Sequence, residues 1–292
     1  MKLGLGAVQF GMAYGVSNRA GRTPQDEVGR ILALAADSGI DLIDTAPGYG
    51  DSEAALGHAG AAAKAFRVVT KTPGFEVGPL TARDADHLER TLHASLDRLQ
   101  QASVYGLLVH NADNLIGPGG ELLMARMAAM KAAGLVEKIG VSVYHAGQID
   151  ALFAQGEIDL IQLPISLLDQ RLLHSGHLAR LKQRGVEIHA RSIFLQGLLL
   201  MAPEALPPFF APIRGHLRAC RDRFDALGAT PLEAALAWVR SVGAIDVALC
   251  GVNDSAQLQE ICRAAASTVA LGDAEHYAVH EERFLNPANW ER

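Results

Sequence analysis

Eight short apolar runs, separated mostly by stretches of helical periodicity, constrain this 292-residue chain more than any other feature. They are Leu3 to Val8, Leu42-Ile43, Phe66 to Thr70, Val104 to Val109, Ile139 to Val141, Leu160-Ile161, Val186 to Ala190 and Val247 to Cys250. Strands that alternate with helices point to a parallel sheet. Eight such units predict an α/β chain closed into one (β/α)8 TIM barrel over residues 1–292. An open doubly wound sheet is the alternative, but Gly4-x-Gly6 is not continued as Gly-x-Gly-x-x-Gly into a helix. In a barrel the residues that follow the runs share the C-terminal face, where barrel active sites lie. Here they are Asp44, Lys71, His110, Ser142, Gln162, Arg191 with Ser192, and Asn253.

The intervening segments carry their own signals. Thr23-Pro24-Gln25-Asp26 predicts a helix start, with a hydroxyl cap and proline at the first position. Asp51 or Ser52 is expected to cap another helix, with Glu53 in its first turn. Leu88, Leu92, Leu96 and Leu99 form the buried stripe of a third, and Met124, Met127 and Met130 fill the core from the next. Thr230 to Glu233 reads as a capping box. Gln196 to Pro212 reads as a long proline-containing loop, and Asp273 to Phe284 as a final helical segment.

Composition narrows the function classes. A net charge of −6 without a basic block argues against nucleic acid as a partner. Cys220, Cys250 and Cys262 have neither metal nor redox spacing, which fits a reducing compartment. His174 and His177 stand three apart with no further ligand motif, so no metal site is expected. There is no signal-peptide pattern, and no apolar run approaches the roughly 20 residues that span a bilayer. These features lead us to expect a cytoplasmic protein with no membrane partner. They say nothing of oligomeric state.

Asp41 to Gly50 is the stretch most suggestive of chemistry. It ends a buried strand on Asp44 and then makes a Gly/Pro-rich loop carrying one phenol, Tyr49. A free phenol titrates at about pH 10, too high for ready proton exchange near neutrality. A Lys71 ammonium beside it is expected to lower that value, with Asp44 holding the ammonium in place and His110 orienting a carbonyl oxygen. Together they make a proton donor for an oxygen that becomes negative as hydride is added. Taken singly, each residue is explained as well by an ordinary ion pair or a polar strand end. The combination favours a site.

Several motifs coincide here. Asp44-Thr45-Ala46, Tyr49-Gly50, Ser52-Glu53 and Leu56-Gly57 form one group. Ser95-Leu96-x-Arg98-Leu99 through His110 forms a second, and Val69-Thr70-Lys71 a third. Gly134, Ile139-Gly140-Val141-Ser142 and Asp159 to Pro164 complete the set. On these motifs the chain resembles the aldo-keto reductase family over nearly its whole length. The resemblance implies a barrel that binds a nicotinamide cofactor across its C-terminal face and reduces a carbonyl substrate. It implies a catalytic tetrad of Asp44, Tyr49, Lys71 and His110, with Tyr49 as the acid. Ser142 and Gln162 would hold the carboxamide. Ser192, Phe194, Gln196, Gly197 and Leu198 would follow the pyrophosphate, and Gly251, Val252, Asn253, Gln257 and Glu260 would surround the adenosine end.

Four positions depart from the family pattern. Val143 stands for the usual asparagine, Arg191 for an aromatic that stacks on the nicotinamide, Asp254 for a base at the 2′-phosphate and Ile261 for an asparagine at the adenine. NADPH is the cofactor the family implies, with NADH admitted because of Asp254. The low aromatic content, 5% of residues, is compatible with a polar substrate such as a sugar aldehyde. The alternatives are a nucleotide-sensing subunit with slow turnover and a barrel hydrolase or isomerase without nicotinamide.

Overall fold

Eight parallel strands close on themselves in sequence order in this computed structural model, which describes residues 1–76 and 78–290. They are β1 (Lys2–Gly6), β2 (Leu42–Asp44), β3 (Arg67–Lys71), β4 (Val104–Val109), β5 (Val136–Ser142), β6 (Leu160–Pro164), β7 (Glu187–Arg191) and β8 (Val247–Gly251). The register aligns Gly6 with both Asp44 and Gly251, Asp44 with Val69, and Ser142 with Gln162. The polar strand ends therefore meet on one rim.

Two apolar layers hold the barrel. Leu42, Val69, Tyr105, Leu108, Leu160, Val247 and Leu249 fill its interior. The outer faces of the strands pack against the helices, whose stripes include Leu88, Leu92, Leu96 and Leu99. Met127 and Met130 are buried from the helix Gly120–Ala132, while Met124 is half-buried.

At the N-terminal end, a polar cluster closes the barrel. The Tyr105 hydroxyl donates to Glu187 Oε2 at 2.6 Å, Lys138 Nζ donates to the same oxygen, and His189 Nε2 meets Oε1 at 2.8 Å. Burial alone would push the Glu187 carboxyl up. The bonds from His189, Lys138 and Tyr105 win and hold it well below the usual range.

Several local expectations change. β1 ends at Gly6, where the Ala7 N–H makes a last ladder bond to the Asp44 carbonyl at 2.9 Å, and Val8 opens a one-turn helix, Val8–Gly11. Pro24 is the cap residue of the helix Gln25–Asp37 and not its first residue, while the Thr23 hydroxyl donates to the Asn253 carbonyl at 3.1 Å. Asp51 holds the cap position of the helix Ser52–His58, one of the two residues expected there, but makes no side-chain cap bond. Instead Asp51 pairs with Arg22, and Ser52 Oγ donates to the Ala7 carbonyl at 2.7 Å. Gln196 to Pro212 is organised by 3₁₀ turns at Leu195–Leu200, Pro203–Ala205 and Pro208–Ile213. Asp273 to Phe284 is not one helix. It holds a 3₁₀ turn, Ala274–Tyr277, and the start of a short helix, Glu282–Leu285, and between them Val279 N–H bonds outward to the Leu168 carbonyl at 2.8 Å. The Thr230–Glu233 capping box forms as expected.

Candidate active site

The loop that carries Tyr49 is fixed by a close crossing of two backbones. A Cβ on Gly11 would lie 1.8 Å from the Tyr49 carbonyl oxygen, and one on Gly50 (φ +56°) would lie 2.5 Å from the Gly11 oxygen. Only glycine permits that approach. Behind the loop, buried Glu53 accepts from Thr70 Oγ1 at 2.6 Å and from Arg98 Nε and Nη2 at 2.9 and 2.7 Å. The motif residues Ser52, Glu53 and Arg98 thus form a frame. They lock the phenol loop to β1 and to the strand that presents Lys71.

Lys71 and Asp44 are buried together, with side chains 1% and 8% exposed. Lys71 Nζ donates to both Asp44 oxygens at 2.7 and 2.8 Å and to the Thr45 carbonyl at 2.9 Å. Three acceptors match the three donors of an ammonium. Gln162 Nε2 adds a bond to Asp44 Oδ1 at 2.7 Å from across the barrel. Lys71 Nζ also stands 4.9 Å from the centroid of the Tyr49 ring, and Tyr49 meets His110 edge-on with centroids 5.7 Å apart. The structure thus brings all four expected tetrad residues together.

The expected lowering of the Tyr49 pKa by Lys71 does not occur. Burial pushes the phenol up, Asp44 adds to the rise, and Arg191 opposes it. Lys71 is neutralised by Asp44 and spends its three donors elsewhere, so the phenol stays protonated. Burial pulls the Lys71 ammonium below its ordinary range, with Asp44 working against that. Burial, reinforced by the Lys71 charge, pulls His110 down to about 4, so its imidazole is neutral near neutral pH.

One cavity joins Tyr49, His110 and Asp44 to the ends of the other strands. Of the residues expected to hold a cofactor, Ser142, Gln162, Arg191, Ser192, Phe194, Gln196, Gly197, Gly251, Asn253, Gln257 and Glu260 line it. Leu198 and Val252 do not, because both are packed into the apolar core. The turn explains this in part. Ser192, Leu195, Gln196 and Gly197 all have positive φ (59°, 47°, 53° and 90°), which turns Leu198 inward. Such backbone is costly for non-glycine residues and is typically found at functional loops.

Gln9, Tyr14 and Tyr144 also line the cavity and were not read as site residues in the sequence. Gln9 follows a run that looked like plain strand. Tyr14 belongs to none of the sequence motifs, and its hydroxyl accepts from Gln196 Nε2 at 3.1 Å, bridging two loops. Gln9 Oε1 and Asn253 Oδ1 are buried without a partner among the described residues. Two orphaned acceptors in one cavity suit a ligand rich in hydroxyl and amide donors, which a nicotinamide dinucleotide is.

At the far end of the cavity the lining carboxylate is Glu260. Asp254 Oδ1 caps the helix Ser255–Ala265 by accepting from Gln257 N–H at 2.8 Å, and Glu27 Oε1 accepts from Ser255 N–H at 2.6 Å. A second cleft opens beside His110 and Tyr144, lined by Asn111, Asp113, His145, Gln148 and Asn286. Gln148 fixes it by donating to Asp113 at 2.7 Å and accepting from Tyr144 N–H at 2.7 Å. Among the described residues, no group of His, Cys, Asp and Glu could hold a metal, and no helix is long and apolar enough to cross a membrane.

Comparison with known proteins gives concordant matches. The model of the Aldo/keto reductase family matches residues 2–281. The 6-dehydroglucose reductase of Novosphingobium aromaticivorans is 29% identical over 276 residues, covering 89% of this chain and 86% of its own. The NADH-specific methylglyoxal reductase of Escherichia coli is 30% identical over 179 residues, covering 55% of this chain and 54% of its own. Among solved structures, the holo form of an aldo-keto reductase from Bacillus halodurans superposes with a TM-score of 0.76. It is 20% identical, with 100% of this chain and 94% of the other covered, which speaks to the fold alone.

Proposed function

Because the chain belongs to the aldo/keto reductase family, we propose that it reduces an aldehyde or ketone to an alcohol, with a nicotinamide dinucleotide held at the barrel mouth and Tyr49 giving the proton. The observation that carries this reading is the meeting of Tyr49, His110 and the Lys71–Asp44 pair at one end of a cavity that continues to Glu260. A reduced nicotinamide, when bound, would supply the hydride for the carbonyl carbon. Tyr49, kept protonated by burial, delivers its proton to the oxygen, and neutral His110 donates a hydrogen bond that orients the same oxygen. Asp44 and Gln162 hold Lys71 under the phenol ring. Ser142 and Gln162 would hold the carboxamide, residues 192 to 197 the pyrophosphate, and Gly251, Asn253, Gln257 and Glu260 the adenosine.

The finer reading of the cofactor favours NADH over the NADPH that the family implies. The helix end after β8 is already capped by Asp254 and Glu27, and Glu260 lines the cavity nearby. A 2′-phosphate there would meet carboxylates in place of the Arg or Lys that usually receives it. The relative named as NADH-specific fits this choice. The polar cleft beside His110 supports a hydroxylated, sugar-type carbonyl, as does the relative named for 6-dehydroglucose.

Fluorescence titration with NADH and NADPH, followed by turnover on a panel of sugar and apolar aldehydes, tests the reading. Tyr49→Phe should lower reduction by at least the roughly 10²–10⁴-fold typical of a lost general acid, with cofactor binding near wild type. A variant that kept most of its activity would remove Tyr49 from the mechanism. Turnover too slow to follow on any aldehyde would favour the nucleotide-sensing alternative.

A further inference from the structure

Arg191 is a permanent cation at the end of β7, and the mechanism above does not use it. Its guanidinium stacks on the Tyr144 ring at 4.2 Å, donates from Nη2 to the Val143 carbonyl at 2.9 Å and reaches Ser192 Oγ at 3.4 Å. These bonds and the stack fix it in place. Among the described residues no carboxylate lies within ion-pair distance of it. Arg191 lines the same cavity as Tyr49, His110, Ser142 and Gln162, and its charge acts on Tyr49 and His110 alike. The buried cation Lys71 is matched by Asp44. With His110 neutral and Tyr49 protonated, this end of the cavity carries one uncompensated positive charge.

Resting on the nicotinamide reading, we infer that Arg191 makes the cavity discriminate between cofactor redox states, holding the reduced form more tightly than the oxidised one. Hydride transfer takes two electrons and one proton from the ring, which passes from neutral to singly cationic. The hydride forms the new C–H bond of the alcohol, and Tyr49 supplies the O–H proton. A fixed guanidinium is indifferent to the neutral ring and repels the cationic one. The same charge favours the oxygen that becomes negative. Arg191 therefore biases the site toward carbonyl reduction and speeds release of the spent cofactor.

The test is equilibrium binding, so it does not depend on turnover. Dissociation constants for NADH, NAD⁺, NADPH and NADP⁺ are measured by calorimetry on wild type, Arg191→Gln and Arg191→Lys. Wild type should bind the reduced form about tenfold or more tightly than the oxidised form. In Arg191→Gln that ratio should fall by about tenfold, mainly through tighter binding of the oxidised form, whereas Arg191→Lys should keep most of it. The wild-type ratio stands as a test even if a variant fails to fold. A wild-type ratio near one overturns the inference, as does an unchanged ratio in a folded Arg191→Gln, and either leaves the reductase reading intact. Failure of wild type to bind any of the four would remove the nicotinamide reading and this inference with it.

Discussion

Replacing Lys71 with methionine should unfold the protein's stability ledger at one identifiable point. The substitution keeps the length of the chain and removes the charge, leaving Asp44 as a buried carboxylate with only Gln162 Nε2, at 2.7 Å, to compensate it. Breaking a buried pair from one side costs about 3–5 kcal/mol, because the remaining charge stays in a poorly solvating site. The surviving Gln162 bond places the expected loss near the low end, about 3 kcal/mol. Asp44→Asn in the same chain removes the stranded charge. The double variant should then lose only about 1–2 kcal/mol, mostly for the Thr45 carbonyl that no longer receives Lys71 Nζ. Urea unfolding of the four proteins, read at equilibrium with the m-value checked for constancy, gives a coupling of about 2 kcal/mol or more. If Lys71→Met lost less than about 1 kcal/mol, or if the double variant were no more stable than the single, charge pairing would not be what holds these side chains together.

Two further outcomes follow from the same electrostatics. His110 titrates at about 4, held down first by burial and then by Lys71, so kcat/KM for reduction should stay level from about pH 8 to 5. A break near the ordinary histidine value of about 6.5 would mean that His110 is not buried beside Lys71 in the working enzyme. At the other end of the barrel, Glu187→Gln should cost about 3 kcal/mol at neutral pH while leaving turnover near wild type. Because the folded carboxyl titrates below its unfolded value, its contribution is complete at neutral pH and drains away as the pH falls below about 4.5. Denaturation of both proteins across that range should show the gap closing, and a gap independent of pH would argue for packing instead.

How much of this was legible in the sequence depends on what each residue's role required. The strands could be read because a buried parallel barrel demands apolar runs, and their polar ends could be assigned to one rim because parallel strands all point the same way. That logic was enough to bring Asp44, Tyr49, Lys71 and His110 together. It could not weigh burial against charge, so the phenol was expected to be lowered by Lys71 when in fact desolvation raises it. Nor could it follow a chain through irregular backbone. Leu198 and Val252 were placed by continuing motifs in sequence, but the left-handed turn from Ser192 to Gly197 and the burial after Gly251 send both into the core. Gln9 was invisible because its significance lies in an orphaned oxygen beside a distant glycine, Gly251. Asp254 reads in the sequence as a departure at the 2′-phosphate position, and its Oδ1 is engaged as a helix cap by the Gln257 N–H.

The charges along the cavity are what give these separate residues a common consequence. Among the described residues the one unmatched charge near Tyr49 is positive, Arg191; at the far end the lining carboxylate is Glu260, on the helix that Asp254 caps. On the proposed reading, a dinucleotide spanning both ends would be sorted twice. Arg191 would disfavour an oxidised ring, and Glu260 would disfavour a 2′-phosphate. The two preferences would arise from side chains on different elements, Arg191 on β7 and Glu260 on the helix Ser255–Ala265, so they should add independently. On that reading, reduced, unphosphorylated dinucleotide would be the form that meets no like charge at either end.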